Sequence, residues 1–104
     1  MKPYTGYHKY LIKKLKNPDE AIGYLNAALE DGDPKVFLLA LRNVAEAHGN
    51  LSSLAKKSKL PRVSLYRITS NKGNPTIENI SKLIKAIGLR FYIDKRQSRP
   101  KMAA

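Results

Sequence analysis

LSSLAKKSKLPRVSLYRIT, Leu51 to Thr69, is the stretch on which the reading of this chain turns. Leu51, Leu54 and Ala55 form the i, i+3, i+4 apolar stripe of one short helix, and Leu65 and Ile68 repeat the i, i+3 spacing in a second. Between them Lys59-Leu60-Pro61 breaks the pattern. Leu60 is apolar where it can plug the wedge between two helices, and Pro61 fits a first helical turn, where its missing N–H costs nothing. The small Ala55 allows two helices to approach closely. Two readings stand: an ordinary packed helix pair, or a helix-turn-helix whose second helix offers Arg62, Val63, Ser64, Tyr66 and Arg67 to a DNA major groove. The turn position Lys59 favours positive φ, where glycine is the usual residue, so lysine there implies modest strain or a slightly different turn.

The chain has 104 residues, which makes one domain. It has no cysteine, which rules out disulfides and thiolate metal sites and suits a reducing cytoplasm. No apolar run approaches the length of a membrane span, and MKPYTGYHKY lacks the apolar core of a secretory signal. The net charge is +12, and its placement is uneven. Residues 1–34 balance five lysines (Lys2, Lys9, Lys13, Lys14, Lys16) against five acids (Asp19, Glu20, Glu30, Asp31, Asp33). Residues 35–104 hold fifteen lysines and arginines against Glu46, Glu78 and Asp94. The whole excess therefore coincides with the helix pair and the chain on either side of it. A solubilising surface would need no such coincidence, whereas a phosphate-backbone binder would show it.

In chain order, Tyr7 to Leu15 reads as a helix with Tyr7, Tyr10, Leu11 and Leu15 on one side. Asn17-Pro18-Asp19-Glu20 starts the next: Asn17 caps, Pro18 takes the first position, and Glu20 is placed for a capping box. Its apolar face is Ile22, Leu25, Ala28 and Leu29, and Gly32 ends it. Asp33-Pro34 repeats the device. The following helix, Lys35 to His48, is apolar nearly all round, so it should be covered on two sides, by the helix-turn-helix and by the N-terminal helices. Gly49 ends it and Asn50 can cap the next. After the second helix of the pair, Ser70 to Pro75 is a loop. Thr76 caps a last helix with Ile77, Ile80, Leu83, Ile84 and Ile87 on one stripe and Gly88 as stop. Leu89 to Ile93 reads as a short strand that needs an edge from elsewhere. The expected division is an N-terminal helical extension (1–33), a helix-turn-helix domain with a dimerisation helix and strand (34–93), and a basic tail (94–104) expected to be disordered. There are no internal repeats.

No constellation for catalysis is visible, and no cofactor is implied. His8 and His48 have no ligand-like neighbour at i+3 or i+4; His48 suits the last turn of a helix and His8 a solvent-facing position. The serines have no recognisable base nearby, and no glycine-rich phosphate loop occurs. The acids of the N-terminal third fit helix-terminal roles. Tyr4, Tyr7, Tyr10 and Tyr24 admit two readings, half-buried packing or a partner-binding surface.

The run AIGYLNAALEDGDPKVFLLALRNVAEAHG, followed by LSSLAKKSKLPRVSLYR and GNPTIENISKLIKAIGLRF, resembles the HigA-like addiction module antidote antitoxins from about Tyr7 to Ile93. The resemblance implies an all-α, five-helix fold of the lambda-repressor/Xre class. It implies a cytoplasmic bacterial protein that dimerises, represses its own operon and neutralises a small ribonuclease toxin of the RelE/ParE-like (HigB) kind. The base-reading positions of that family fall here on Arg62, Val63, Ser64, Tyr66 and Arg67. This chain has Leu60-Pro61 where many relatives carry a capping Asn or similar residue.

Arg62 and Arg67 are then candidates for bidentate contact with guanine, and Val63 for a thymine methyl. Ser64 and Tyr66 suit phosphate or sugar, with Lys56, Lys57 and Lys72 as further phosphate candidates. A dimer would read a pseudo-palindrome of double-stranded DNA with half-sites roughly 34–36 Å apart. Ile84, Ile87, Leu89, Phe91 and Ile93 are the dimerisation candidates, the competing use being internal packing. Tyr7, Tyr10, Tyr24, Glu30 and Asp31 are the toxin-binding candidates, since RNA-cleaving toxins tend to be basic. The alternative to an antitoxin is a stand-alone transcriptional regulator with no toxin partner. Neither a membrane nor a small-molecule ligand is expected.

Overall fold

The computed structural model describes residues 5–49, 51–70 and 74–95. The expected cap Asn50 and most of the basic tail lie outside them. Six helices form among the described residues: α1 (Thr5–Lys14), α2 (Pro18–Asp31), α3 (Pro34–Ala47), α4 (Leu51–Ser58), α5 (Arg62–Thr69) and α6 (Ile77–Ala86). The count is six rather than the five that the resemblance implies.

The starts of α2, α3 and α6 follow from their caps. The side chains of Asn17 and Asp33 accept the N–H of Asp19 and Lys35, each at 2.9 Å, and a proline fills the first position of both helices. Thr76 accepts the N–H of Asn79 at 3.1 Å. The capping box expected at Glu20 does not form. The Asn17 N–H is already donated to the Lys14 carbonyl at 3.1 Å, and the Glu20 carboxylate lies 3.7 Å from Lys14 Nζ instead. At the far end of α6, Gly88 takes φ 86°, its N–H donates to the Lys85 carbonyl, and the Leu89 N–H reaches back to Ile84, both at 3.0 Å. These are the two hydrogen bonds of a Schellman motif, which satisfies the last carbonyls of the helix.

α3 is the centre of the packing. It meets α1 and α2 on one side and α5 on the other, while α4 packs on α5 and α6. Phe37, Ala40, Leu41, Val44, Ala45 and Ala47 are buried, but Val36 and Leu39 face outward, so its apolar surplus is not wholly used. One core joins Leu15 of the α1–α2 connection, Ala21, Leu25 and Ala28 of α2, the buried face of α3, and Leu54, Leu60, Leu65, Ile68, Leu83, Ile84 and Ile87. The expected boundary at residue 33 is therefore not a boundary of the core.

Two faces are rotated from their expected positions. In α1 the packed side is Leu11, Ile12 and Leu15, with Tyr7 and Tyr10 exposed. In α2 it is Ala21, Leu25 and Ala28, with Ile22 and Leu29 exposed. Ile77, placed on the α6 stripe by spacing, is also exposed. The expected strand, Leu89 to Ile93, is absent: residues 89–95 form no regular element. Strand geometry needs a neighbouring edge to take its N–H and C=O groups, and the described chain is otherwise helical.

Candidate nucleic-acid interface

The α4–α5 pair is built on one strained residue. Ser58 is buried and its Oγ accepts the Leu60 N–H at 3.3 Å. Lys59 sits at φ 62°, its N–H donating to the Ala55 carbonyl at 2.9 Å, so a lysine occupies the left-handed position that glycine ordinarily fills. Leu60 is buried in the wedge, as its apolar character suggests. Pro61 is the N-cap of α5, one place earlier than expected, and offers no side-chain hydrogen bond to the helix. The first N–H groups of α5 are thus left without a side-chain cap.

At about 100° per residue, Arg62, Tyr66, Val63 and Arg67 fall in that order across an arc of about 140°. All four are exposed, Val63 at 66% and Tyr66 at 57%. Ser64 lies at the edge of the arc, half-buried, and Leu65 and Ile68 hold the opposite side to the core. Four of the five recognition-helix candidates thus share one exposed surface, with Ser64 beside it. Lys56 and Lys57 are exposed at the end of α4; Lys72 lies outside the described residues. The ion pairs found among the described residues use other groups: Lys14 with Glu20, Lys82 with Glu78, and His8 close to Glu46. Arg62, Arg67, Lys56 and Lys57 carry no such pair there, so their charge is free to meet phosphate.

A polar depression of about 170 Å³ lies between α5 and the start of α6, lined by Ser64, Arg67, Asn74, Thr76 and Asn79. Asn74 and Asn79 are therefore neighbours of the candidate surface that sequence reasoning missed. Two asparagines in a loop and a helix start carry no signal of that kind until the fold brings them beside Arg67.

The remaining candidates are more scattered. Tyr7 and Tyr24 line one groove with Leu11, Asp19 and Glu20. Tyr24 is also tied inward, its hydroxyl accepting from Asn43 at 2.9 Å. Tyr10 is exposed, with Lys14 Nζ 5.9 Å from its ring centre. Glu30 and Asp31 sit at the other end of α2 and do not line that groove. Of the dimerisation set, Ile84 and Ile87 are buried inside the protomer and Leu89 is half-buried, whereas Phe91 and Ile93 are exposed.

Of the two histidines, His48 sits at the end of a helix as expected, whereas His8 is not simply solvent-facing. His8 is half-buried, and its Nε2 lies 3.2 Å from both carboxylate oxygens of Glu46. His48 caps the end of α3 with its Nε2 buried and lacking a hydrogen-bond partner among the described residues. Burial, and secondarily the nearby Lys57 charge, push its pKa below the ordinary value. Among the described residues no helix is long and apolar enough to cross a membrane.

Comparison with known proteins places the sequence in a family. No solved structure matches the chain significantly. A protein of Haemophilus influenzae, itself described as uncharacterized, is 35% identical over 85 residues, covering 82% of this chain and 87% of its own length. Residues 7–95 match the family described as "Probable addiction module antidote protein". Nearly the whole described fold, from the first turn of α1 to the segment after α6, lies within that match, and the chain belongs to this family of addiction module antidotes.

Proposed function

We propose that the protein is the antitoxin of a type II toxin–antitoxin module. It binds and neutralises a toxin of the RelE/ParE-like (HigB) kind and, as a HigA-like, lambda-repressor/Xre-type helix-turn-helix dimer in the cytoplasm, represses its own operon. It acts by occupancy, without catalysis of its own.

Membership of the antidote family supports the antitoxin role. The observation that carries the DNA half is the arc of Arg62, Val63, Tyr66 and Arg67 on α5. It is exposed, free of ion pairs among the described residues, and backed by Leu65 and Ile68 in the core. Basic side chains on a rigidly seated short helix are the arrangement that enters a major groove.

The test is co-expression with the product of the adjacent reading frame, followed by size exclusion with light scattering. A stable complex and rescue of growth from the neighbour's toxicity are expected. The same preparation should retard DNA from upstream of its own gene more strongly than random DNA. Specific DNA binding with neither complex nor toxicity would make it a stand-alone transcriptional regulator.

A further inference from the structure

Residues 90–94, Arg-Phe-Tyr-Ile-Asp, are complementary to their own reverse. We infer that this segment is the edge by which two copies of the chain join, paired antiparallel about a two-fold axis at Tyr92. In that register Arg90 faces Asp94 of the second copy, Phe91 faces its Ile93, and Tyr92 faces Tyr92. The inference rests on the dimeric reading above and gives it a surface and a register.

Four observations favour a second copy as the occupant. The segment already alternates: Phe91 turns to Phe37, ring centres 6.5 Å apart, while the Arg90 guanidinium lies 6.0 Å from the centre of the Tyr92 ring. That is the two-residue period of a strand with no strand beside it. The last backbone hydrogen bond before it is Leu89 to Ile84, and the N–H and C=O groups of 90–93 make none among the described residues. Arg90 and Asp94 form no ion pair among the described residues, and in an extended chain they stand about 13 Å apart, out of each other's reach. Each can find an opposite charge across a two-fold pair, twice per dimer. Finally, Ile93 is 96% exposed. In this register it lands against the partner's Phe91, beside an apolar groove of about 520 Å³ that Ile22, Leu29 and Phe37 help to line. The patch is its own complement, as a two-fold interface requires.

A charge exchange on the full chain tests this. Sedimentation equilibrium at micromolar concentration should give the wild-type protein twice its 11.7 kDa mass. Arg90→Asp sets two carboxylates against each other at each facing pair, and Asp94→Arg sets two guanidinium groups there. Each variant alone should therefore dimerise about tenfold or more weakly. An equimolar mixture of the two should recover a heterodimer, in which both facing pairs set a carboxylate against a guanidinium. The double variant Arg90→Asp with Asp94→Arg likewise makes every facing pair opposite in sign and should dimerise as the wild type does. Both residues are exposed, and circular dichroism will report that the variants keep their helices. A monomeric wild type, single variants that dimerise as well as wild type, or a double variant that fails to associate each overturns the inference. A wild type that is monomeric yet still forms the complex with its operon neighbour leaves the antitoxin reading standing. If Arg90→Asp also breaks that complex, the edge belongs to the toxin rather than to a second copy.

Discussion

Lys59 holds a left-handed backbone at φ 62° with a side chain that disfavours it. Glycine removes the clash between Cβ and carbonyl but is costlier to order from the unfolded chain. The balance favours glycine: Lys59→Gly should stabilise by about 0.5–1 kcal/mol, seen as a rise of a few degrees in Tm. An unchanged or lower Tm would mean that the turn relies on the lysine itself. His48 makes the second prediction at this scale. Its folded pKa lies below the unfolded value, so the unfolded chain takes up the proton first. The stability tied to its neutral form is complete above the unfolded pKa of about 6.5 and is lost as pH falls through the folded pKa. Urea titrations at about pH 7.5 and about pH 5 should show that loss, and His48→Gln should lessen it. If the variant shows the same pH dependence, the titration lies elsewhere.

At the scale of the element, the proposed function divides base reading on α5 from phosphate contact at the end of α4. Arg67→Ala should cost about 1–3 kcal/mol on the operator and relax the choice of one base, whereas Lys57→Ala should weaken operator and random DNA alike. Electrophoretic retardation with both DNAs separates the two. Equal losses for Arg67→Ala on both would remove it from base reading. Much of this was legible beforehand. The i, i+3 pair Leu65 and Ile68 already pointed α5 inward and left the Arg62–Arg67 arc outward, and Asn17, Asp33, Thr76 and Gly88 marked helix ends by local chemistry alone. What failed was non-local. The stripe of α2 kept Leu25 and Ala28 but lost Ile22 and Leu29 and gained Ala21, a residue that periodicity counts as only weakly apolar but that fits the close packing of α2 on α3. The strand at 89–93 failed for a similar reason: propensity fixes a preference, but a strand exists only against a second edge.

The whole molecule has one core, and that bears on how partner binding can be tested. Cutting before Asp33 to isolate a reading head would remove Leu15, Ala21, Leu25 and Ala28 and uncover the side of α3 that they cover. Leu15 and Leu25 alone stand for about 3–6 kcal/mol of burial, and a domain of this size has only about 5–15 kcal/mol in all. Residues 33–104 should therefore lose cooperative thermal unfolding, and loss of toxin binding in that fragment would say nothing about where the toxin sits. Exposed positions are the better probes. Tyr7 and Tyr10 are 69% and 60% exposed, so Tyr7→Ala with Tyr10→Ala should leave Tm within about a degree or two while weakening the complex with the neighbouring gene's product. Calorimetry on the double variant, paired with titration of the toxin, reads both quantities on one sample. An unchanged Kd would move the toxin surface off α1 and turn attention to the apolar ground around Leu29, Phe37 and Phe91, where two grooves of about 520 and 590 Å³ meet.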